Sequence, residues 1–344
     1  MDDFARSVVV IGASAGGIQP LVELVSTFPR DFPAAVLVVV HIGTGRSVLP
    51  RILSQAGSLP ALHAVDNERI RAGHIYVAPP DYHLIVRDAH LGLSHGPKEN
   101  HSRPAIDPLF RSAAQSFNTH TIGIVLSGAL SDGTSGLLAI KARGGQTLVQ
   151  DPGEASVTGM PESALRMQAA DHVMRAREIG LALPSLLARA ASDVVWTPTA
   201  PASGKGEPTA AASPAGTVIS RDFSQQVDDR QHDRLTMFTC PDCGGSLWQI
   251  DGDGGLSFQC HVGHSWSPES LRGHKSEQLE AALWASVRLL AERATLTRQL
   301  AKRMRREGND LGANDIDDQA VIDEEHAATL RAVLEKPQTT EDTT

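Results

Sequence analysis

The sequence predicts an α/β fold: a doubly wound, mostly parallel sheet followed by a small cysteine-bearing module and C-terminal helices. Three observations predict it. Apolar runs at 7–11, 35–41, 75–78, 121–126 and 146–149, most of them near-continuous in Val and Ile, read as strands, and the continuous ones as strands buried on both faces. Helical patterns at 18–28, 47–56, 107–117, 134–143, 161–169 and 178–190 fill the intervals, and that alternation builds a parallel sheet wound in both directions. All three cysteines fall between 240 and 260, beyond a stretch of Pro, Ala, Ser and Gly that cannot bury a core.

These shifts divide the 344 residues into a first domain over 1–195, a flexible linker over 196–233, a cysteine module over 234–272, a helical segment over 273–335 and a disordered tail over 336–344. Within the first domain, turn residues between short alternating runs predict a hairpin over 75–94. Hydrophobic residues at 41% and charged residues at 21% are ordinary for a soluble protein. A net charge of -9 and 4% aromatics argue against nucleic acid as a partner. No apolar run approaches the length of a membrane span, so no membrane insertion is expected. The opening "MDDFARSVVV" lacks a basic region before its apolar run, and the expected location is the cytoplasm.

The first strand runs into "VVVIGASAGGIQP", residues 8–20. A phosphate loop needs Lys and Ser or Thr after its last glycine, and Ile18 and Gln19 stand there. A dinucleotide fingerprint needs a glycine where Ser14 stands, because the pyrophosphate approaches that backbone closely. Gly12-Ala13-Ser14-Ala15-Gly16 instead matches G-x-S-x-G between a strand and a helix, the setting of a nucleophile elbow. Such a turn exposes Ser14 at the carboxyl edge of the sheet and leaves the Ala15 N–H at a helix N-terminus, ready for an oxyanion.

Serine needs a base, and the base an orienting carboxylate. His41 ends the second long strand in "VLVVVHIGTG", and Asp132 follows the strand 121–126 in "IVLSGALSDGTSG". Alone, His41 also fits a histidine hydrogen-bonded in a loop, and Asp132 fits an N-cap for the helix at 134. All three lie just past carboxyl ends of parallel strands, the edge where open α/β sheets form sites. That coincidence favours a Ser-His-Asp triad.

At these residues the chain resembles the CheB-type protein-glutamate methylesterases of bacterial chemotaxis. The resemblance covers nearly all of residues 6–192. It rests on "GASAGG", "VVVHIG", "AGHIYVAPPDYHL" at 72–84, "SRPAIDPLFRSAA" at 102–114, "VLSGALSDGTSG" at 125–136 and "QDPGEASVTGMPESA" at 150–164. It implies that Ser14 is the nucleophile, His41 the general base and acid, and Asp132 its orienting carboxylate, with no catalytic cofactor. The Ala15 and Ala129 N–H groups would hold the oxyanion. The implied reaction is hydrolysis of γ-glutamyl methyl esters on a chemoreceptor-like signalling protein, and some members also deamidate glutamine. Two departures stand out. The usual Gly-Met-Gly before the aspartate is Gly128-Ala129-Leu130 here, and the catalytic domain starts at about residue 6 rather than after a receiver domain. The rival expectation is a signalling adaptor that keeps the esterase fold and acts by binding. His83, His101 and Arg103 lie in the shared blocks and are candidates for the substrate groove.

In the cysteine module, Cys240, Cys243, Cys260 and His264 have the spacing C-x2-C, sixteen residues, C-x3-H. Thiolates two apart grip one tetrahedral ion, so a structural zinc in a ribbon-like fold is expected, with "SLWQIDGDGGLSFQ" as its hairpin. His261 is the rival ligand, disfavoured because it adjoins Cys260. Farther on, Leu279, Leu283, Val287, Leu290, Ala294, Leu300 and Met304 fall near one helical stripe, with Ser276 as its cap and Arg305, Arg306 and Gly308 at its end. That helix is expected to pack on its neighbours, the alternative being a dimer seam or docking surface for a signalling partner. A second, weaker helix is expected over 317–335.

Overall fold

A computed structural model describes residues 5–41, 47–192, 235–252 and 255–335, in two compact units that part between Leu271 and Arg272. The expected linker at 196–233 and tail at 336–344 lie outside the described residues.

The chain alternates β1 (Val8–Ala13), α1 (Ile18–Val25), β2 (Ala35–Val40), α2 (Leu49–Ala56), β3 (Ala61–His63) and β4 (Ile75–Val77). After β5 (His83–Arg87) and β6 (His90–Ser94) come α3 (Ile106–Phe117), β7 (Thr121–Val125) and α4 (Thr134–Ala142). Then follow β8 (Gln146–Gln150), α5 (Gly159–Arg166), β9 (His172–Met174) and α6 (Ala176–Ser192). Seven strands form one parallel sheet in the order β3-β4-β2-β1-β7-β8-β9.

The Val-rich strands are central because both of their faces are covered. Val9, Ile11 and Ala13 pack with Leu21 and Leu24 of α1, Leu53 of α2 and Ile179 and Leu183 of α6. Val8 and Val10 face the opposite way, towards Ile106 and Phe110 of α3 and Leu137 and Ile140 of α4. Each fully buried aliphatic side chain contributes roughly 1.5–3 kcal/mol relative to exposure. The chain winds outward from β1 through β2, then returns to lay β7 on the other side of β1. That reversal opens a crevice beyond the carboxyl ends of β1 and β7.

Two local features differ from expectation. The hairpin is β5–β6 alone, with His83 paired to Ser94 and a turn through Asp88 and Ala89 at φ 45° and 60°. Ile75–Val77 is a strand of the parallel sheet, between β2 and β3, as its apolar run predicts, and takes no part in the hairpin. The short strands β3 and β9 were not expected: three residues are too few to show a period, and His172 and Val173 are exposed on the sheet edge.

The first unit also contains the cysteine module. Its β10 (Leu235–Thr239), β11 (Ser246–Gly252), β12 (Gly255–Cys260) and β13 (Ser265–Trp266) form a four-stranded antiparallel sheet, with β11–β12 as the expected hairpin. Its core holds Leu247, Phe258, Trp266 and Leu271 beside Cys240 and Cys260.

The helix α7 (Pro268–Arg306) starts eight residues before the expected cap, and α8 is Asp310–Leu334. Pro268 suits a first helical position, whereas Ser276 lies inside the helix, where its hydroxyl donates to the Arg272 carbonyl. Gly308, at φ 83°, ends α7 as expected, and Asn309 caps α8 by accepting from the Gly312 N–H. In the second unit the buried stripe is Val287, Ala294 and Ala301 on α7 and Ala313, Ala320 and Ala327 on α8. Leu279 and Leu300, expected on that stripe, are exposed. Small residues at seven-residue spacing let the two helices approach closely, and Arg293 pairs with Asp323 across them.

Candidate active site

Ser14 follows β1 directly, in a tight turn. Its N–H donates to the Ser127 carbonyl at 2.9 Å, and its own carbonyl accepts from the Gly17 N–H at 2.9 Å. Gly16 takes φ 73° there, and a side chain on it would press on Ser127 and Ser156. The helix begins only at Ile18, so the Ala15 N–H belongs to the turn rather than to the first turn of α1. Ala15 and Ala129 are both exposed beside Ser14. Gly128 packs so closely that a Cβ on it would lie 2.8 Å from Ser14 Cβ and overlap Met160 Sδ. Leu130 holds φ 63°, left-handed backbone where the resembling family carries glycine.

Ala13 pairs with Val40, and the His41 N–H donates to the Ala13 carbonyl at 3.1 Å. Ser14 and His41 therefore occupy the next step of the same register on neighbouring strands. His41 Nε2 lies 2.7 Å from Asp132 Oδ2. The structure thus brings His41 and Asp132 into direct contact and sets Ser14 beside them on the same sheet edge.

Asp132 is 2% exposed, and five donors converge on its carboxylate. Oδ2 accepts from His41 and from the Ile106 N–H at 2.7 Å. Oδ1 accepts from Asn100 Nδ2 at 3.0 Å and from the N–H groups of Asp107 at 3.2 Å and Gly133 at 3.0 Å. Burial opposes ionisation, but the hydrogen bond and charge of His41 and the N–H groups opening α3 outweigh it and hold the pKa at about 2. Asp107, also buried, accepts from the N–H groups of Gly133 at 3.1 Å and Gly136 at 2.7 Å, and from Asn100 Nδ2 at 3.0 Å. Burial, then the charge of Asp132, pushes its pKa well up. Gly133, not Asp132, is the N-cap residue of α4, and Asp107 supplies its capping carboxylate.

Asn100 and Asp107 are not among the site residues expected from the sequence. Asp107 carried a signal, since a carboxylate in the first turn of a helix is a recognised pattern; Asn100 carried none. Of the three groove candidates, His83 is buried with structural partners: it meets the Pro97 carbonyl at 2.9 Å and the Ala105 N–H at 3.2 Å, and burial lowers its pKa. Arg103 clasps Asp81 and the Gly96 carbonyl. His101 meets Asp242 of the cysteine module at 2.6 Å.

In that module the ligand atoms of Cys240, Cys243, Cys260 and His264 lie within 4.8 Å of one another. Cys243 and Cys260 sulfurs are 3.6 Å apart, and His264 Nδ1 is 3.4 Å from Cys260 and 3.7 Å from Cys240. Four ligands about 2.0–2.3 Å from one tetrahedral ion stand roughly this far apart, so the residues fit a metal. His261 lies against Trp248 instead, outside the cluster. Gly244 and Gly263, at φ 72° and 99°, close the two ligand turns.

Residues 9–183 match the family model described as CheB methylesterase. A putative protein-glutamate methylesterase/protein-glutamine glutaminase of Leptospira interrogans is 39% identical over 173 residues, covering 50% of this chain and 90% of that protein. The protein-glutamate methylesterase FrzG of Myxococcus xanthus is 38% identical over 177 residues, covering 51% of this chain and 53% of that protein. The crystal structure of the Thermotoga maritima CheB methylesterase catalytic domain superposes with a TM-score of 0.50 at 32% identity, over 53% of this chain and 98% of that one. The cysteine module lies beyond the residues that the family model matches.

Proposed function

The chain belongs to the CheB methylesterase family, and from that premise we propose that it is a protein-glutamate methylesterase working through Ser14, His41 and Asp132. The observation that carries the reading is the 2.7 Å contact between His41 Nε2 and Asp132, on the sheet edge where Ser14 stands one strand away. With Nε2–H donated to Asp132, His41 Nδ1 is the free base. It takes the Ser14 hydroxyl proton as Oγ attacks the ester carbonyl, and the Ala15 and Ala129 N–H groups receive the oxyanion. Protonated His41 then gives its proton to the departing methoxide, releasing methanol. Water, deprotonated by the same Nδ1, cleaves the acyl-serine and leaves a free glutamate carboxylate. Asp132 stays ionised throughout, which its low pKa allows.

The substrate is a methylated glutamate on a chemoreceptor-like signalling protein. Glutamine deamidation follows the same steps with ammonia leaving. Cys240, Cys243, Cys260 and His264 hold one structural zinc, with all four positions taken by protein. Thiols kept as ligands suit the reducing cytoplasm. The test is methanol release from methylated chemoreceptor fragments. Wild type releases methanol and Ser14→Ala does not; equal release from both removes Ser14 from the mechanism, and no release from folded wild type favours the adaptor.

A further inference from the structure

Asn100 is buried, holds left-handed backbone at φ 48°, and has no part in the bond-making steps above. Its side-chain amide nevertheless reaches the triad, donating to Asp132 and to Asp107 at 3.0 Å each. What fixes Asn100 comes from the cysteine module. Its N–H donates to the Ser265 carbonyl at 2.8 Å, and its Oδ1 accepts from the Ser267 N–H at 2.9 Å.

The same face of the module also grips the neighbours of Asn100 and the residue beside Asp132. The Ser265 N–H donates to the Lys98 carbonyl at 3.2 Å, and His101 stacks on Trp266 at 6.1 Å as well as meeting Asp242. Ser131, next to Asp132, shares hydroxyl hydrogen bonds with Ser267 at 2.7 Å and Ser270 at 3.1 Å. These contacts adjoin the metal ligands: Ser265 follows His264, and Asp242 lies between Cys240 and Cys243.

We propose that Asn100 is a positioning residue for the esterase, clamped by Ser265 and Ser267, so that metal loading of the cysteine module sets how firmly Asp132 holds His41. The proposal rests on the methylesterase reading and adds a control to it. The module buries few large side chains, and a sheet that small keeps its strands only with a staple. Without the metal β13 is not held, and Asn100 loses its two backbone partners together. Its amide then no longer bridges two buried carboxylates, and Asp132 turns away from the geometry His41 needs. The metal takes no part in the chemistry.

The experiment uses the full chain, stripped of metal by a chelator and reloaded with Zn²⁺, with two readouts. The low-field proton resonance between His41 Nε2 and Asp132 is recorded by NMR without substrate, and kcat and KM are measured for methanol release. Stripping is expected to abolish or shift the resonance and to lower kcat by about 10–100-fold with little change in KM. Zn²⁺ restores both. Asn100→Ala behaves like the stripped protein whether loaded or not, while circular dichroism shows the sheet intact. Ser267→Pro, which deletes the donor from the module side, gives the same loss should Asn100→Ala fail to fold. The proposal is overturned when stripped protein keeps its resonance and kcat, or when Zn²⁺ rescues Asn100→Ala as fully as wild type. A resonance that follows metal and Asn100 while no protein releases methanol upholds the clamp and rejects the esterase.

Discussion

Asp107 and Asp132 cap each other's helices. Asp132, ahead of α4, accepts the first N–H groups of α3; Asp107, on α3, accepts from Gly133 and Gly136 at the start of α4. The exchange ties the two helix ends together at the carboxyl edge of the sheet and gives Asp132, the partner of His41, two of its backbone donors.

Asp132→Asn is expected to keep the fold and lower kcat by about 10⁴-fold. An amide cannot accept the His41 proton with the same strength, and its NH₂ can pair with the wrong imidazole tautomer. Methanol release against circular dichroism separates this from unfolding, and a loss under tenfold contradicts the orienting role.

The two carboxylates give stability opposite pH trends. Asp132 titrates at about 2, below its ordinary 3.8, so its contribution is full above pH 4 and is lost as pH falls towards 2. Asp107 is raised, so its contribution is full below the ordinary carboxylate range and falls as pH climbs through its higher folded value. Calorimetric melting across a pH series is expected to fall at both ends, and Asp107→Asn to flatten the decline above pH 4. Equal slopes in the two proteins count against the assignment.

Gly128→Ala places a methyl group against Ser14 Cβ and Met160 Sδ. It is expected to destabilise the first unit by about 1–3 kcal/mol and to displace Ser14, lowering methanol release more than the melting temperature alone explains. Unchanged labelling of Ser14 by a fluorophosphonate contradicts this.

His264→Ala and His261→Ala distinguish the two histidines near Cys260. Metal analysis of purified protein is expected to find one zinc per chain in wild type and in His261→Ala, and much less in His264→Ala. The reverse pattern overturns the ligand set.

Ser14, His41 and Asp132 are legible in the sequence because each follows a strand whose apolar run marks where it ends. The cysteine cluster is legible because chelate spacing is local. Asn100 is not: its loop has no period, and its role exists only once Ser267, far along the chain, supplies an N–H. The start of α7 is hidden for a related reason. The "LRGHK" segment at 271–275 carries a glycine inside a helix, which propensity alone reads as a break.

Ser267 follows Asn100 by 167 residues. At bacterial and eukaryotic synthesis speeds of about 5–20 residues per second, that separation lasts roughly ten to thirty seconds on the ribosome. During this interval the sheet can fold with Ser14, His41 and Asp132 already present but Asn100 unheld. Under the proposed clamp, activity in a growing chain stays below its full level until residues 265–267 have been made and have closed on Asn100.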